Sequence, residues 1–138
     1  MLAVDTSVVI AGFATWHEGH AAALIALARR PRLPAAVLVE TYSVLTRLPP
    51  PHRVSPRTAA AYLKACFTEP LLGVPAGDYR RIVDHAVDGA IAGGAVYDAV
   101  VAWSAKRAGA TLLTRDQRAI PVYEAVGVEF ELATDSVP

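Results

Sequence analysis

The sequence predicts a three-layer α/β domain with a central, mainly parallel sheet. Two observations carry the prediction. Short apolar, β-branched runs alternate with longer segments of helical period, and prolines and glycines punctuate the joints. The chain also has 138 residues, 54% of them hydrophobic, which is enough to close one core without disulfides or a structural metal. The single cysteine, Cys66, falls in a helical stretch and is expected to be a small buried hydrophobe.

The elements follow in order. Residues 2–5 form the first strand and 6–13 a short helix. Residues 17–30, rich in Ala and Leu, read as a helix that Pro31 ends. Residues 33–35 are a brief extended piece, and 37–48 are helical up to the Pro49-Pro50-Pro51 run. Ser55 followed by Pro56 suits a helix N-terminus, with a side-chain oxygen at the cap and a fixed φ in the first turn. That helix runs to 67. Residues 71–74, between Pro70 and Pro75, are expected as a second strand, and 76–87 as a helix. Glycines at 89, 93 and 94 make a loop before the helix 97–108, which Gly109 stops. Residues 111–114 are the third strand, 120–126 a short helix and 128–132 the last strand. Strands separated by helices run parallel and are covered on both faces. With no repeat and no linker, 1–138 is expected to be one domain.

Composition also excludes. High hydrophobicity with zero net charge rules out disorder, and 13 basic residues against 13 acidic leave no strongly basic nucleic-acid coat. The opening Met1-Leu2-Ala3-Val4-Asp5 has neither a basic n-region nor a long apolar run, and no charge-free apolar stretch reaches about 18 residues. The expectation is a soluble, cytoplasmic protein with no membrane partner.

Four carboxylates stand in unusual places. Asp5 closes an apolar strand. Glu40 has Ala36, Val37 and Val44 as helix-face neighbours, which places it on or beside the buried stripe. Asp98 lies among Ala95, Val101 and Ala102, and Asp116 follows the strand 111–114 after one arginine. Singly, each has an ordinary role as a helix cap, a dipole partner or half of an ion pair with a residue such as Arg47. Together they are constrained by topology. Ligands of open parallel sheets gather outside the carboxyl ends of the strands, where Asp5 and Asp116 lie. Clustered carboxylates repel and require a cation, yet the chain has only two lysines, Lys64 and Lys106. A hard divalent cation, Mg²⁺ or Mn²⁺, meets that requirement.

Four segments carry a family resemblance across nearly the whole chain. They are Val4-Asp5-Thr6-Ser7-Val8-Val9-Ile10, the helix around Glu40, Gly93-Gly94-Ala95-Val96-Tyr97-Asp98-Ala99, and Leu112-Leu113-Thr114-Arg115-Asp116. In order and spacing they resemble the acidic motifs of the PIN domain, and within it the VapC-like toxins of bacterial toxin–antitoxin pairs. Tyr123-Glu124-Ala125-Val126-Gly127-Val128 is similar to the family's last helix and strand. The resemblance implies a Rossmann-like fold and a metal-dependent endoribonuclease that leaves a 3′-hydroxyl and a 5′-phosphate. It assigns Asp5, Glu40, Asp98 and Asp116 to catalysis and to the Mg²⁺ or Mn²⁺ site. It also implies a homodimer, an RNA substrate and a cognate antitoxin that blocks the site. Thr6, Ser7 and Thr114 match polar positions beside those carboxylates; Thr6 and Thr114 are candidates for orienting water or substrate, whereas Ser7 reads as turn chemistry. Where some relatives carry a further acidic residue, Gln117 and Arg118 follow Asp116, which points to one tightly held cation.

Eleven of the 13 basic residues are arginines, and Arg115 and Arg118, flanking Asp116, are the candidates for RNA phosphate. Trp103 reads as core and Trp16 as an interface residue. His17 and His20, at i and i+3, lack a third ligand, and no P-loop or serine–histidine–aspartate pattern is present. Two other readings of the carboxylates remain. One is a non-catalytic module that binds a cation or a basic peptide. The other is an aspartate-based phosphotransferase, although position 7 holds Ser where that chemistry wants a second Asp. Setting the four carboxylates aside leaves the remaining chain four positive charges in surplus, so zero net charge does not exclude RNA.

Overall fold

The sheet is entirely parallel in the computed structural model, which describes residues 1–135. Its strands β1 (Leu2–Val4), β2 (Thr111–Thr114) and β3 (Phe130–Leu132) lie in that spatial order. Ala3 pairs with Leu112, and Leu112 with Phe130. Ala3, Val4, Leu112 and Leu113 are all buried. Successive residues on a strand point to opposite faces, so both faces of the sheet are covered and the α/β sandwich follows.

Among the described residues, seven α-helices supply the cover: α1 (Thr6–Phe13), α2 (His20–Ala28), α3 (Ala35–Thr46), α4 (Pro56–Cys66), α5 (Asp78–Asp88), α6 (Ala95–Arg107) and α7 (Ile120–Val126). Helices α1 and α6 both pack on β2, and α3 touches both of them. Each boundary that positions the site has a local cause. Asp5, extended, takes the amides of Ser7 and Val8 and so starts α1. Ser55 caps α4 through the Thr58 amide, with Pro56 at the first helical position as expected. Gly127 adopts φ +83°, a left-handed turn that returns its amide to the carbonyls of Tyr123 and Glu124 and ends α7.

Several expectations need correction. The strand expected over 71–74 is a single bridge from Leu72 to Pro34, and the extended piece at 33–35 is likewise reduced to bridges, with Arg32 on Ala3. These contacts continue the sheet beyond β1, but prolines at 31, 34, 70 and 75 remove the amide donors that a longer ladder needs. The helix expected from 17 starts at His20, because the Gly19 amide donates to His17 Nδ1 at 2.9 Å and folds 17–19 into a turn. Strand β3 starts two residues late, since the Val128 amide closes α7 onto the Tyr123 carbonyl at 3.2 Å. Cys66 is exposed rather than buried. The inner face of α4 runs through Ala59, Leu63 and Phe67 at four-residue spacing and leaves Cys66 outside it. Among the described residues, no helix is long and apolar enough to cross a membrane.

Leu113, on the central strand and almost wholly buried, tests this core. Leu113→Ala should cost about 2–5 kcal/mol in urea unfolding, through lost burial and the cavity left behind.

Candidate active site

Strands β1 and β2 end side by side, and the chain leaving each carries one acidic residue. Asp5 follows β1 and is 4% exposed. Its Oδ1 accepts from the Ser7 amide at 3.0 Å and the Ser7 hydroxyl at 2.5 Å, with the Val8 amide at 3.4 Å. Its Oδ2 accepts from the hydroxyl of Thr114 and from that of Tyr123 at 2.8 Å. Burial pushes the Asp5 carboxyl above the usual carboxylate range, and the hydrogen bonds from Ser7, Thr114, Tyr123 and Val8 pull it back. A second tier holds these donors: Ser7 Oγ accepts the Arg115 amide at 2.8 Å, and Thr114 Oγ1 accepts the Asp116 amide at 3.0 Å.

The other three carboxylates arrive from separate elements. Glu40 projects from α3, where it flanks the buried Val37–Thr41–Leu45 face rather than lying on it, and is exposed. Asp98 comes from the first turn of α6 and is half-buried. Asp116 caps the 3₁₀ turn Gln117–Ala119 through the Arg118 amide. Asp5, Glu40, Asp98 and Asp116 together line one small cavity of about 30 Å³, beside Thr6 and Tyr123. Burial and the charges of Glu40, Asp116 and Asp5 push Asp98 up to about 6, with Arg118 pulling the other way. The Thr6 hydroxyl is buried there without a hydrogen-bond partner. The carboxylates share the cavity without converging: among the described residues, no three His, Cys, Asp or Glu side chains stand together as a ready-made ion-binding group.

Residues 2–125 match the PIN domain. The chain belongs to the PIN-domain family. It is 55% identical over 134 residues to Ribonuclease VapC40 of Mycobacterium tuberculosis (strain ATCC 25618 / H37Rv), an alignment that covers 97% of this chain and all of the relative. It is 44% identical over 133 residues to Ribonuclease VapC27 of the same strain, covering 96% of each.

Within this PIN domain the two arginines beside Asp116 differ. Arg115 is committed to the scaffold: its Nη1 donates to the Ala133 carbonyl at 3.0 Å, and its guanidinium lies against Gly19, where an added Cβ would come within 2.3 Å of Nε. Arg118 is 95% exposed and reaches Asp116 Oδ1 at 3.5 Å. Tyr123 is the site residue that sequence reasoning missed. Its place on the buried face of α7, with Val122 and Val126, was a usable signal, because a buried phenol needs an acceptor. Ser7, read as turn chemistry, links Asp5 to β2 as well. The histidines are structural, with His17 in its turn and His20 Nδ1 on the Ala11 carbonyl at 2.8 Å. Trp103 is half-buried against the core and donates to Asp78 at 3.2 Å, while Trp16 is exposed and stacks on His52.

The raised Asp98 fixes the sign of a pH effect. A proton on Asp98 favours the fold; this contribution is complete below the ordinary value near 3.8 and is lost as pH rises through about 6. Asp5 acts in the same direction. In EDTA, Asp98→Asn should flatten the loss of stability across that window. It should also raise the melting temperature at neutral pH by a few degrees, as read by thermal unfolding across pH.

Proposed function

We propose that the chain, read over 1–138 as one PIN-like unit, is a divalent-metal-dependent endoribonuclease and the toxin of a toxin–antitoxin pair. One observation carries this reading: four carboxylates distant in sequence meet around a single cavity at the strand ends of a PIN fold. The names of its relatives, both ribonucleases, support it.

The residues present fit a hard cation. Every candidate donor is oxygen, Glu40, Asp98 and Asp116 retain exposed surface from which to close, and like charge already raises Asp98. Asp5, Glu40, Asp98 and Asp116 would hold Mg²⁺ or Mn²⁺. When bound, such an ion lowers the pKa of water and offsets charge developing on the phosphoryl oxygens. The chain's own groups do the rest. Arg118, exposed beside Asp116, offers donors to an RNA phosphate, and the unpaired Thr6 hydroxyl offers a donor and an acceptor to water or substrate. Thr114 and Ser7 hold Asp5. Arg115 acts through the scaffold, since its guanidinium is already engaged. An aspartate-based phosphotransferase fits less well, because position 7 holds Ser where that chemistry wants a second Asp.

The partners follow from the same reading: RNA as substrate, a cognate antitoxin that covers the carboxylate cavity in the cytoplasm, and a second copy of the chain. Helix α5 supports the dimer. Tyr79, Val83 and Val87 stand exposed one turn apart, and Arg80 and Arg81 precede Asp84 and Asp88 along the same helix. Two copies of α5 crossing antiparallel would set arginines against aspartates around an apolar seam.

Structured RNA incubated with and without EDTA tests the activity, and mapping the cut identifies the target. Cleavage should require Mg²⁺ or Mn²⁺, and Asp98→Asn should reduce it at least about 100-fold while the fold persists. Wild-type cleavage by Asp98→Asn would remove the assignment. Light scattering tests the seam: Val83→Glu should convert a dimer to a monomer, and an unchanged mass would place the contact elsewhere.

A further inference from the structure

We infer that Tyr123 is a positioning residue of the cation site, acting through Asp5. The inference rests on the metal reading above and concerns a residue outside the acidic motifs.

Asp5 is the one carboxylate of the four that is buried, and it is held from both sides. Ser7 and Val8 grip Oδ1 from α1. Oδ2 is fixed by Thr114 from β2 and Tyr123 from α7. A carboxylate gripped at one oxygen can still swing about its Cβ–Cγ bond, whereas one gripped at both has a single orientation. The Tyr123 ring is itself immobilised: it is 1% exposed, and its backbone carbonyl accepts the amides of Gly127 and Val128 at the end of α7. Tyr123 also lines the cavity that the four carboxylates share. Its hydroxyl therefore transmits the position of α7 to the Asp5 carboxylate. Groups that hydrogen-bond a metal-binding carboxylate fix its direction, and their loss weakens metal affinity by about 10–100-fold.

Tyr123→Phe removes the hydroxyl and keeps the ring that fills the core. Isothermal titration of Mn²⁺ into the intact chain, without RNA, should give a dissociation constant about 10-fold or more above wild type, with an unchanged circular dichroism spectrum. A second measurement needs no variant. In wild type labelled at tyrosine, the Tyr123 ring resonances should move as Mg²⁺ is added and saturate with the affinity found by calorimetry. Equal Mn²⁺ affinity in Tyr123→Phe, or Tyr123 resonances indifferent to Mg²⁺, would show that the tyrosine merely fills space and would overturn the inference. A variant that loses melting temperature but keeps the wild-type affinity would do the same. If wild type itself takes up no cation, the metal reading fails first and this inference with it, a result distinct from a tyrosine without effect.

Discussion

The burial of one carboxylate governs this structure. Asp5 sits at the end of β1 with almost no water to solvate it, and an ion in that position is tolerated only when its lone pairs are filled by the protein. Filling them draws in α1, β2 and α7 at once, through Ser7, Thr114 and Tyr123. The strand pairing between β1 and β2 and the start of α1 thus share a single polar node with the proposed chemistry. A substitution there is felt by both fold and site, which is why Asp5 is a poorer probe of mechanism than the half-buried Asp98.

Charge is distributed around that node in a graded way. Asp5 is buried, with hydrogen bonds offsetting part of the cost, Asp98 is half-buried beside like charges, and Glu40 and Asp116 reach toward solvent. The gradient separates two jobs that the acidic motifs do not distinguish in sequence: a fixed oxygen at the base of the cavity and adjustable ones at its mouth. The arginines divide in parallel. Arg115 braces the Gly19 turn and the segment at Ala133, while Arg118 lies exposed beside Asp116.

Much of this was legible in the residues. Alternation of apolar runs with helical segments gave the parallel sandwich, and Ser55-Pro56 and Gly109 marked helix ends through local backbone chemistry that needs no tertiary partner. The four carboxylates stood out because charge on apolar faces is costly wherever it occurs. What stayed hidden depends on contacts between distant segments. Residues 71–74 have a strand's composition, but their pairing is limited by prolines on both participants. Cys66 looked buried until the four-residue spacing of α4 placed it outside the packed face. Arg115 and Arg118 are near neighbours in sequence, and only the position of Gly19 and Ala133 tells them apart. Tyr123 lies 118 residues from Asp5, and no local pattern encodes which acceptor its hydroxyl finds.

The pairing of β1 with β2 has a consequence for synthesis. Residues 2–4 have no strand partner on the β2 side until 111–113 exist, and the cavity lacks a wall until α7 follows. A growing chain on the ribosome therefore carries Asp5 without a working site around it until β2 and α7 have been made. At about 5–20 residues per second, that interval lasts roughly 6–24 seconds. Translation itself withholds the proposed activity until α7 has been made, and an inhibitor made alongside the chain has that interval in which to be ready.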